Sequence, residues 1–356
     1  MKKKQFLISA LVLAVLLALV YLQVRTWRKF DWGTFAAATE GIKLRWIFTG
    51  VALIYADYLL RALRWKILLR PVKQTTALRL LPPTMIGFTG LALFGRPGEL
   101  IRPYLIARKE GLKMSSQMAV WLVERIFDMG AFTLIMAVNI LINADSLKQL
   151  PGFQGTNAFY KFELAGAVLL AGVTGAALFA VLIRKAPSAM AAAAERVFAS
   201  VSPHFAKALG RRIHAFGEGL HTVADLKSFL QLSGLSVLIW LVIGVTYVMV
   251  TRAFLDPQLS QMNLSSVLLL TAASVVGGIL QLPVVGGGSQ LATIGTLRSV
   301  FHLAPEVATS CGIMLWLVTF MSVVPGGLFL AHHERVSLTR VEEESVEEGE
   351  NLEETG

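Results

Sequence analysis

Six long apolar stretches constrain the fold of this chain more than any other feature of its sequence. They cover about residues 6–24, 46–60, 116–143, 163–183, 231–254 and 306–331. A helix of about 20 apolar residues crosses the hydrocarbon core of a bilayer, and an open strand there would leave its backbone groups without hydrogen-bond partners. We therefore predict an all-α fold, a polytopic membrane bundle with about six full crossings.

The composition supports a membrane protein and divides the chain into two parts. Of the 356 residues, 55% are hydrophobic and 16% are charged, a more apolar balance than that of ordinary soluble domains. From Glu334 onward nine Glu face two Arg, a formal charge of −7, which leaves +17 on residues 1–333. We predict a membrane domain at residues 1–333 and an acidic, disordered cytoplasmic tail at residues 334–356. The excess of Lys and Arg is typical of cytoplasmic loops, so we do not expect nucleic acid as a partner.

Two further apolar stretches are interrupted by Pro and Gly, and neither is typical of a simple span. Residues 80–95 contain Pro82-Pro83, and residues 264–297 contain Pro283 and Gly286-Gly287-Gly288. Basic residues, which favour the cytoplasm, flank the first stretch on both sides: Arg61, Arg64, Lys66, Arg70, Lys73 and Arg79 before it, and Arg96, Arg102, Arg108, Lys109 and Lys113 after it. The first stretch is therefore expected to be a re-entrant hairpin that is entered from the cytoplasm.

The number of crossings indicates the orientation of the chain. Lys2-Lys3-Lys4, followed by apolar residues, is interpreted as a signal anchor retained in the inner (plasma) membrane. With both termini in the cytoplasm, the second broken segment enters from the opposite side. Two broken segments in corresponding positions of two halves are what an inverted repeat predicts, although no residue-by-residue repeat is visible. The basic region 184–227 is expected to hold a cytoplasmic helix that lies on the membrane surface or packs on another segment.

Charged residues form the most informative cluster of the chain because they lie where apolar sequence should dominate. The first part reads Gly95-Arg96-Pro97-Gly98-Glu99-Leu100-Ile101-Arg102-Pro103, and the second, Glu124-Arg125-Ile126-Phe127-Asp128, lies inside the third long apolar stretch. One ionisable group at mid-membrane costs about 2.5–3.5 kcal/mol to insert, so these groups must be paired or hydrated. On a helix Glu124 and Asp128 share a face, and Arg125 can pair with Asp128. Glu99 and Arg102 have the same spacing.

Two interpretations of this cluster remain open. In the first, Arg96, Arg102 and Arg125 hold a phosphate, which suits their planar forks of donors. Glu99, Glu124 and Asp128 then orient the arginines, and Gly95 and Gly98 let backbone N–H groups approach the same anion. In the second, the residues form a structural ion-pair network that fixes the hairpin to the next helix.

These motifs resemble the transmembrane region of the lysylphosphatidylglycerol synthase family, also called the flippase-like domain family. The resemblance extends over about residues 5–333, and it also includes Arg61-Ala62-Leu63-Arg64-Trp65 and a late Pro/Gly-rich motif. It implies a helical membrane protein associated with moving an anionic phospholipid or an isoprenoid-linked lipid across the bilayer. It also implies a lipid headgroup as the ligand of the charged cluster: Arg96, Gly98, Glu99, Arg102, Glu124, Arg125 and Asp128.

Two departures from the family pattern limit what the resemblance implies. The full synthases carry a large aminoacyl-transferase domain after the membrane part, whereas only about 23 acidic tail residues follow here, so lipid lysylation by this chain alone is not expected. In the late motif relatives often have Pro-Gly-Gly and an acidic residue. The second broken-helix motif here consists of Pro283, Gly286, Gly287, Gly288 and Gln290, and Gln290 in place of the carboxylate puts a charge-based role of that site in doubt.

Signatures of enzymes are missing from the sequence. The six His show no metal-binding spacing, Cys311 has no second Cys, and no Gly-Lys-Ser/Thr follows the glycines at 286–288. We therefore expect no catalysis, no cofactor and no metal, and favour a lipid flippase or transporter. One alternative is a non-catalytic membrane partner of a lipid- or glycan-modifying enzyme. A weaker one is a membrane transferase that uses a lipid-phosphate donor, with Glu99 or Asp128 as base.

Overall fold

The computed structural model describes most of the chain between residues 32 and 337. The described residues are 32–154, 157, 159–160, 163–164, 166–168, 170–172, 174–175, 178, 187–198, 226–278, 287–337 and 344. The predicted first span, about half of the predicted span at 163–183, most of the basic region 184–227 and most of the acidic tail lie outside them.

Within these ranges the regular elements are all helices, which confirms the predicted all-α fold. The helices are α1 (Trp32–Thr39), α2 (Leu44–Leu69), α3 (Ala77–Phe94), α4 (Ile101–Glu110), α5 (Met114–Lys148), α6 (Pro187–Phe198), α7 (Leu226–Ala253), α8 (Pro257–Ser260), α9 (Leu264–Gly277), α10 (Gly287–Ser299), α11 (Pro305–Trp316) and α12 (Val323–His333). A π-helical turn, Leu317–Met321, joins α11 to α12. Five described segments are long and apolar enough to cross a membrane: Leu44–Leu69, Ala77–Phe94, Met114–Lys148, Lys227–Ala253 and Pro305–His333.

The distribution of side chains on α5 is that of a membrane protein. Its carboxylate Glu124 is fully buried, whereas Leu141 and Ile142 are 70% and 75% exposed. In water such an arrangement would expose a large apolar surface without a partner. In lipid it is favourable, because the apolar side chains face hydrocarbon and the charged groups face the interior of the bundle. The protein is therefore a multi-pass membrane protein.

The first interrupted stretch forms one arm of a hairpin and not, as expected, the whole hairpin. Residues 80–94 lie in a single helix, α3, which continues through Pro82-Pro83, and the return arm is α4, whose residues were interpreted as a basic cytoplasmic loop. Helix α3 ends at Gly95, whose φ of +74° turns the chain into a 3-10 turn (Arg96–Leu100), and α4 then runs back along α3. The two arms pack closely, because a Cβ on Gly98 would lie 2.3 Å from the carbonyl oxygen of Gly90. At the open end Arg79 donates a hydrogen bond to the carbonyl oxygen of Lys109 at 3.3 Å. Both ends of the hairpin therefore lie at the same end of the bundle, as a re-entrant segment requires.

The second interrupted stretch forms a hairpin of α9 and α10, whose connection lies outside the described residues. A Cβ on Gly277 would lie 2.3 Å from the carbonyl oxygen of Gly288, so the arms are in contact. The far end of α10 lies next to the end of α5, since the Gly152 amide donates to the Val300 carbonyl at 2.9 Å. Helix α5 begins beside the first hairpin and runs to the other end of the bundle. The two hairpins therefore enter from opposite ends, as the sequence predicted.

The described helices repeat one order in opposite orientations. The first half consists of α2, a hairpin and α5, and the second of α7, a hairpin and the α11–α12 segment. Helices α2 and α7 are antiparallel, because Arg64 in the C-terminal part of α2 bonds Ser236 in the N-terminal half of α7, whereas the Lys43 amide just before α2 bonds the Ala253 carbonyl at the end of α7. This is the arrangement that an inverted repeat predicts.

The end of the second long helix differs from the sequence-based expectation. The basic residues after residue 60 were interpreted as a cytoplasmic loop, but α2 continues to Leu69 and buries Arg61 and Arg64. That interpretation was wrong for both residues, and also for Arg102, which is buried in the first hairpin. The reason is local: these arginines meet buried carboxylates of α2 and α5, which neutralise them inside the bundle.

Candidate functional site

Arg64 on α2 lies at the centre of the buried charge cluster. One guanidinium nitrogen, Nη1, donates to Asp128 Oδ1 and, at 2.8 Å, to Ser236 Oγ. The other, Nη2, donates to Glu124 Oε1 at 2.5 Å and to Asp128 Oδ2 at 3.1 Å. The side chain is completely buried. Arg64 therefore connects α2, α5 and α7, and it holds the two carboxylates that the sequence placed on one face of a helix.

The site assignment from sequence missed Arg64 because the residue was placed in a loop. A usable signal was present. Asp57, Arg61 and Arg64 are spaced by four and three residues, which places them on one face of a helix that continues past residue 60. The structure shows this face: Arg61 Nε donates to Asp57 Oδ2 at 2.6 Å, and all three residues are buried.

Arg102 links the first hairpin to α5. Its Nη1 donates to Glu124 Oε1 at 3.1 Å and its Nη2 donates to Glu124 Oε2, so the contact is bidentate. The guanidinium lies over the Trp65 ring, 4.4 Å from its centroid, and 5.1 Å from that of Phe88. These aromatic faces add cation–π attraction at a site removed from water. The predicted clamp between the hairpin and the next helix is thus present.

Arg125 differs from the other two arginines of the cluster because it is partly open to the surface. Its Nη2 lies 3.1 Å from Asp128 Oδ2, the pair predicted from the three-residue spacing, and 3.5 Å from Glu124 Oε2. The side chain is 36% exposed. Its Nε is buried and has no hydrogen-bond partner within the described part of the chain.

A cavity of about 40 Å³ lies beside Arg125, between the hairpin and α5. It is lined by Gly87, Phe88, Leu91, Glu99, Arg102, Trp121 and Arg125. At about 10–15 Å³ for each water, this volume holds about three water molecules, or part of a phosphate group. Gly87 and Arg125 each lie about 11 residues from the start of their helices, which at about 1.5 Å per residue is about 16 Å into the bundle. This distance is about half the thickness of a hydrocarbon core of about 30 Å, and we refer to the cavity as the mid-membrane cavity.

Six charged groups line this cavity or lie directly behind it. Arg64, Arg102 and Arg125 face two carboxylates, Glu124 and Asp128, so these five groups carry a formal charge of +1. Glu99 also lies on the cavity wall and brings the six groups to a formal charge of zero. The arrangement therefore offers guanidinium donors, those of Arg102 and Arg125, to a polar or anionic group in the cavity. Within the described residues no group of three His, Cys, Asp or Glu side chains is placed to hold a metal ion.

The structure brings some of the predicted site residues together and separates others. Glu99, Arg102 and Arg125 share the cavity, and Glu124 and Asp128 lie behind it. Arg96 is exposed on the 3-10 turn and does not line the cavity. Gly98 packs against Gly90, and Gly87 is the glycine that borders the cavity instead. The glycine at the cavity therefore comes from α3 and not from the 3-10 turn, where it was predicted.

The second broken-helix motif is only partly described. Pro283 and Gly286 lie outside the described residues. Gly287 and Gly288 begin α10, and a Cβ on Gly277 would meet the Gly288 carbonyl. Gln290 is half-buried in the same helix. These glycines therefore allow close approach of the two arms, and a ligand-binding role of the motif stays a prediction.

Comparison with known proteins finds one match. The family model described as the lysylphosphatidylglycerol synthase TM region matches residues 6–327. No curated protein and no solved structure matches the chain. The match includes both hairpins, the charged cluster and the cavity.

Proposed function

The chain belongs to the family of the lysylphosphatidylglycerol synthase transmembrane region, and on this basis we propose that it is a lipid flippase or transporter. Its substrate is an anionic phospholipid or an isoprenoid-linked lipid, and its headgroup phosphate binds at Arg102 and Arg125. The family itself supports only the coarser statement of a lipid-related role in a membrane. The observation that carries the finer proposal is the cavity inside the bundle that is lined by Arg102 and by the partly exposed Arg125.

The electrostatics support a phosphate as the ligand. Two arginines, Arg102 and Arg125, line the cavity, and a guanidinium bonds an anion more strongly than a neutral group. A phosphodiester carries one negative charge, and its two oxygens can accept two parallel hydrogen bonds from one guanidinium. Arg125 is the residue suited to make this contact, because it lines the cavity and is partly exposed. Arg64 then acts by positioning the carboxylates.

The architecture supports movement of the headgroup across the membrane. The two hairpins enter from opposite ends, and transporters with inverted repeats bind substrates near mid-membrane where broken helices meet. The end of the bundle with Arg70, Lys73, Arg79 and Lys109 is assigned to the cytoplasm because basic residues favour that side. The α11–α12 segment also ends there, since Lys109 pairs with Glu334. In this orientation the first hairpin receives lipid from the cytoplasmic leaflet of the inner membrane.

A vesicle assay tests the proposal. Purified protein is reconstituted into liposomes that contain fluorescent phosphatidylglycerol, and quenching of the outer leaflet measures transfer between leaflets. We expect Arg125→Gln to slow transfer at least about tenfold, the equivalent of one charge-assisted hydrogen bond. Arg70→Gln is the matched control, because Arg70 is exposed at the end of α2, and it should transfer lipid at the wild-type rate. Equal rates in wild type and Arg125→Gln would refute the site.

One observation favours the alternative, a membrane subunit without transport of its own that supports a lipid- or glycan-modifying enzyme. Arg64 and Arg102 both donate to Glu124, and Arg64 also donates to Asp128, as in a structural network. Co-purification in mild detergent separates the two hypotheses. The alternative is supported if the protein transfers no phosphatidylglycerol and an enzyme co-purifies with it, bound to the apolar outer faces of the helices.

A further inference from the structure

A second and larger cavity, of about 320 Å³, lies at the end of the bundle, where α3, α4 and the segment after α12 meet. Its polar wall includes Arg108 and Lys109 on α4 and Arg335 after α12. Its apolar wall includes Pro83 and Ile86 on α3. None of the residues that line the mid-membrane cavity lines this one, so it is a separate site.

The backbone at Arg335 is arranged to bring a cation to this wall. The Val336 amide donates to the Ala331 carbonyl at 2.8 Å, and the Arg335 amide donates to the His332 carbonyl at 3.1 Å. These two bonds end α12 with a turn whose left-handed position is usually occupied by Gly. Here that position is Arg335, with φ of +56°. The side chain of Arg335 leaves this turn on the side of the cavity and forms part of its wall.

A carboxylate of the chain already occupies an anion-binding position in this cavity. Tyr104 donates its hydroxyl hydrogen to Glu344 Oε2 at 2.6 Å, and Arg108 Nη1 lies 3.9 Å from the same oxygen. Glu344 belongs to the acidic tail, whereas Lys109 pairs with Glu334. With Glu344 present, three cations face two carboxylates, and removal of Glu344 raises the formal charge of the wall from +1 to +2. The position of Glu344 therefore shows where another anion would bind.

We propose that this cavity binds a phosphate group at Tyr104, Arg108 and Arg335, and that Glu344 of the acidic tail is its competitor within the same chain. This site is additional to the mid-membrane site and does not depend on transport. Two sources can supply the phosphate, a lipid headgroup or free inorganic phosphate. The apolar wall at Pro83, Ile86 and Leu105 lies on the inner side of the cavity and favours the lipid, because it can contact the glycerol and the first acyl carbons.

Binding measurements on the full-length protein test the proposal. All variants are made in an Arg125→Gln background, so that the mid-membrane site does not contribute to the signal. The probes are phosphatidic acid in otherwise zwitterionic nanodiscs, followed by native mass spectrometry, and inorganic phosphate, followed by calorimetry. Arg335→Gly removes the guanidinium and places Gly at a left-handed position, where it is favoured, so the variant should fold. Glu344→Gln removes the competitor. Arg70→Gln and Glu40→Gln are the matched controls at exposed positions.

We expect Glu344→Gln to raise the affinity for phosphatidic acid about fivefold. A full charge-assisted hydrogen bond would correspond to at least about tenfold, and the exposure of Arg108 and Glu344 reduces it. Arg335→Gly should lower the affinity by a similar factor, and the controls should not change it. The same two shifts with inorganic phosphate would identify the free anion as the ligand and support the site. If neither probe responds to either variant, the proposal is overturned.

Discussion

Replacement of Glu124 by Gln is the most direct perturbation of the charge cluster. Glu124 is completely buried and contacts three guanidinium groups, those of Arg64, Arg102 and Arg125. Gln keeps the size of the side chain but removes its charge. The formal charge of the five groups Arg64, Arg102, Arg125, Glu124 and Asp128 then rises from +1 to +2. The repulsion between Arg64 and Arg102 is no longer offset by the carboxylate that both contact.

The magnitude follows from the contacts. One pair of unit charges about 4 Å apart contributes about 4 kcal/mol at an effective dielectric constant of about 20. The sum over three such pairs overestimates the loss of folding free energy. The Gln amide does not require the desolvation of a carboxylate, and its oxygen can still accept one hydrogen bond. Breaking a buried ion pair by removing one partner costs about 3–5 kcal/mol in practice. We therefore expect Glu124→Gln to destabilise the protein by about 3–5 kcal/mol.

Thermal unfolding in detergent measures this loss. At about 2 °C for each kcal/mol, the scale of a large domain, the midpoint should fall by about 6–10 °C. Glu40→Gln, the same change at an exposed residue after α1, should shift the midpoint by less than about 1 °C. The double variant Arg102→Gln/Glu124→Gln restores the formal charge of the five groups to +1. Its unfolding midpoint should therefore fall by less than the sum of the falls in the two single variants. A midpoint for Glu124→Gln equal to that of Glu40→Gln would refute the reasoning.

Two further predictions concern the packing around the site. Arg64→Met removes every hydrogen bond that joins α2 to Asp128 and Ser236, so it should destabilise the protein by about 3–5 kcal/mol, and an unchanged unfolding midpoint would contradict a central role of Arg64. Gly98→Ala places a Cβ 2.3 Å from the Gly90 carbonyl, so it should separate the arms of the first hairpin, cost about 3 kcal/mol and change the fluorescence of Trp121 at the cavity. The control Gly234→Ala meets nothing within 4 Å and should gain about 1 kcal/mol of helix stability; equal effects of both alanines would show that the hairpin contact is not tight.

Part of the charged site could be predicted from short-range spacing. Arg125 and Asp128 pair at three residues, and Glu124 and Asp128 share a face, as the periodicity of a helix requires. Arg96 was added to the same site because it lies near Arg102 in the sequence, yet it is exposed on the 3-10 turn. Nearness along the chain does not determine which side chains of a turn point into a cavity, since each residue of a tight turn points in a different direction.

The sequence by itself determined the helical membrane fold, because lipid requires that each backbone group finds its partner within a helix. The entry of the two broken segments from opposite ends was predicted, and the described helices confirm it. The position of the first turn was wrong, since α3 continues through Pro82-Pro83 and the chain turns at Gly95. Only the tertiary structure decided that Arg64 is the centre of the charge cluster. Its partners Glu124 and Asp128 are 60 and 64 residues away, and no periodicity of a single helix indicates which distant helix supplies a counter-charge.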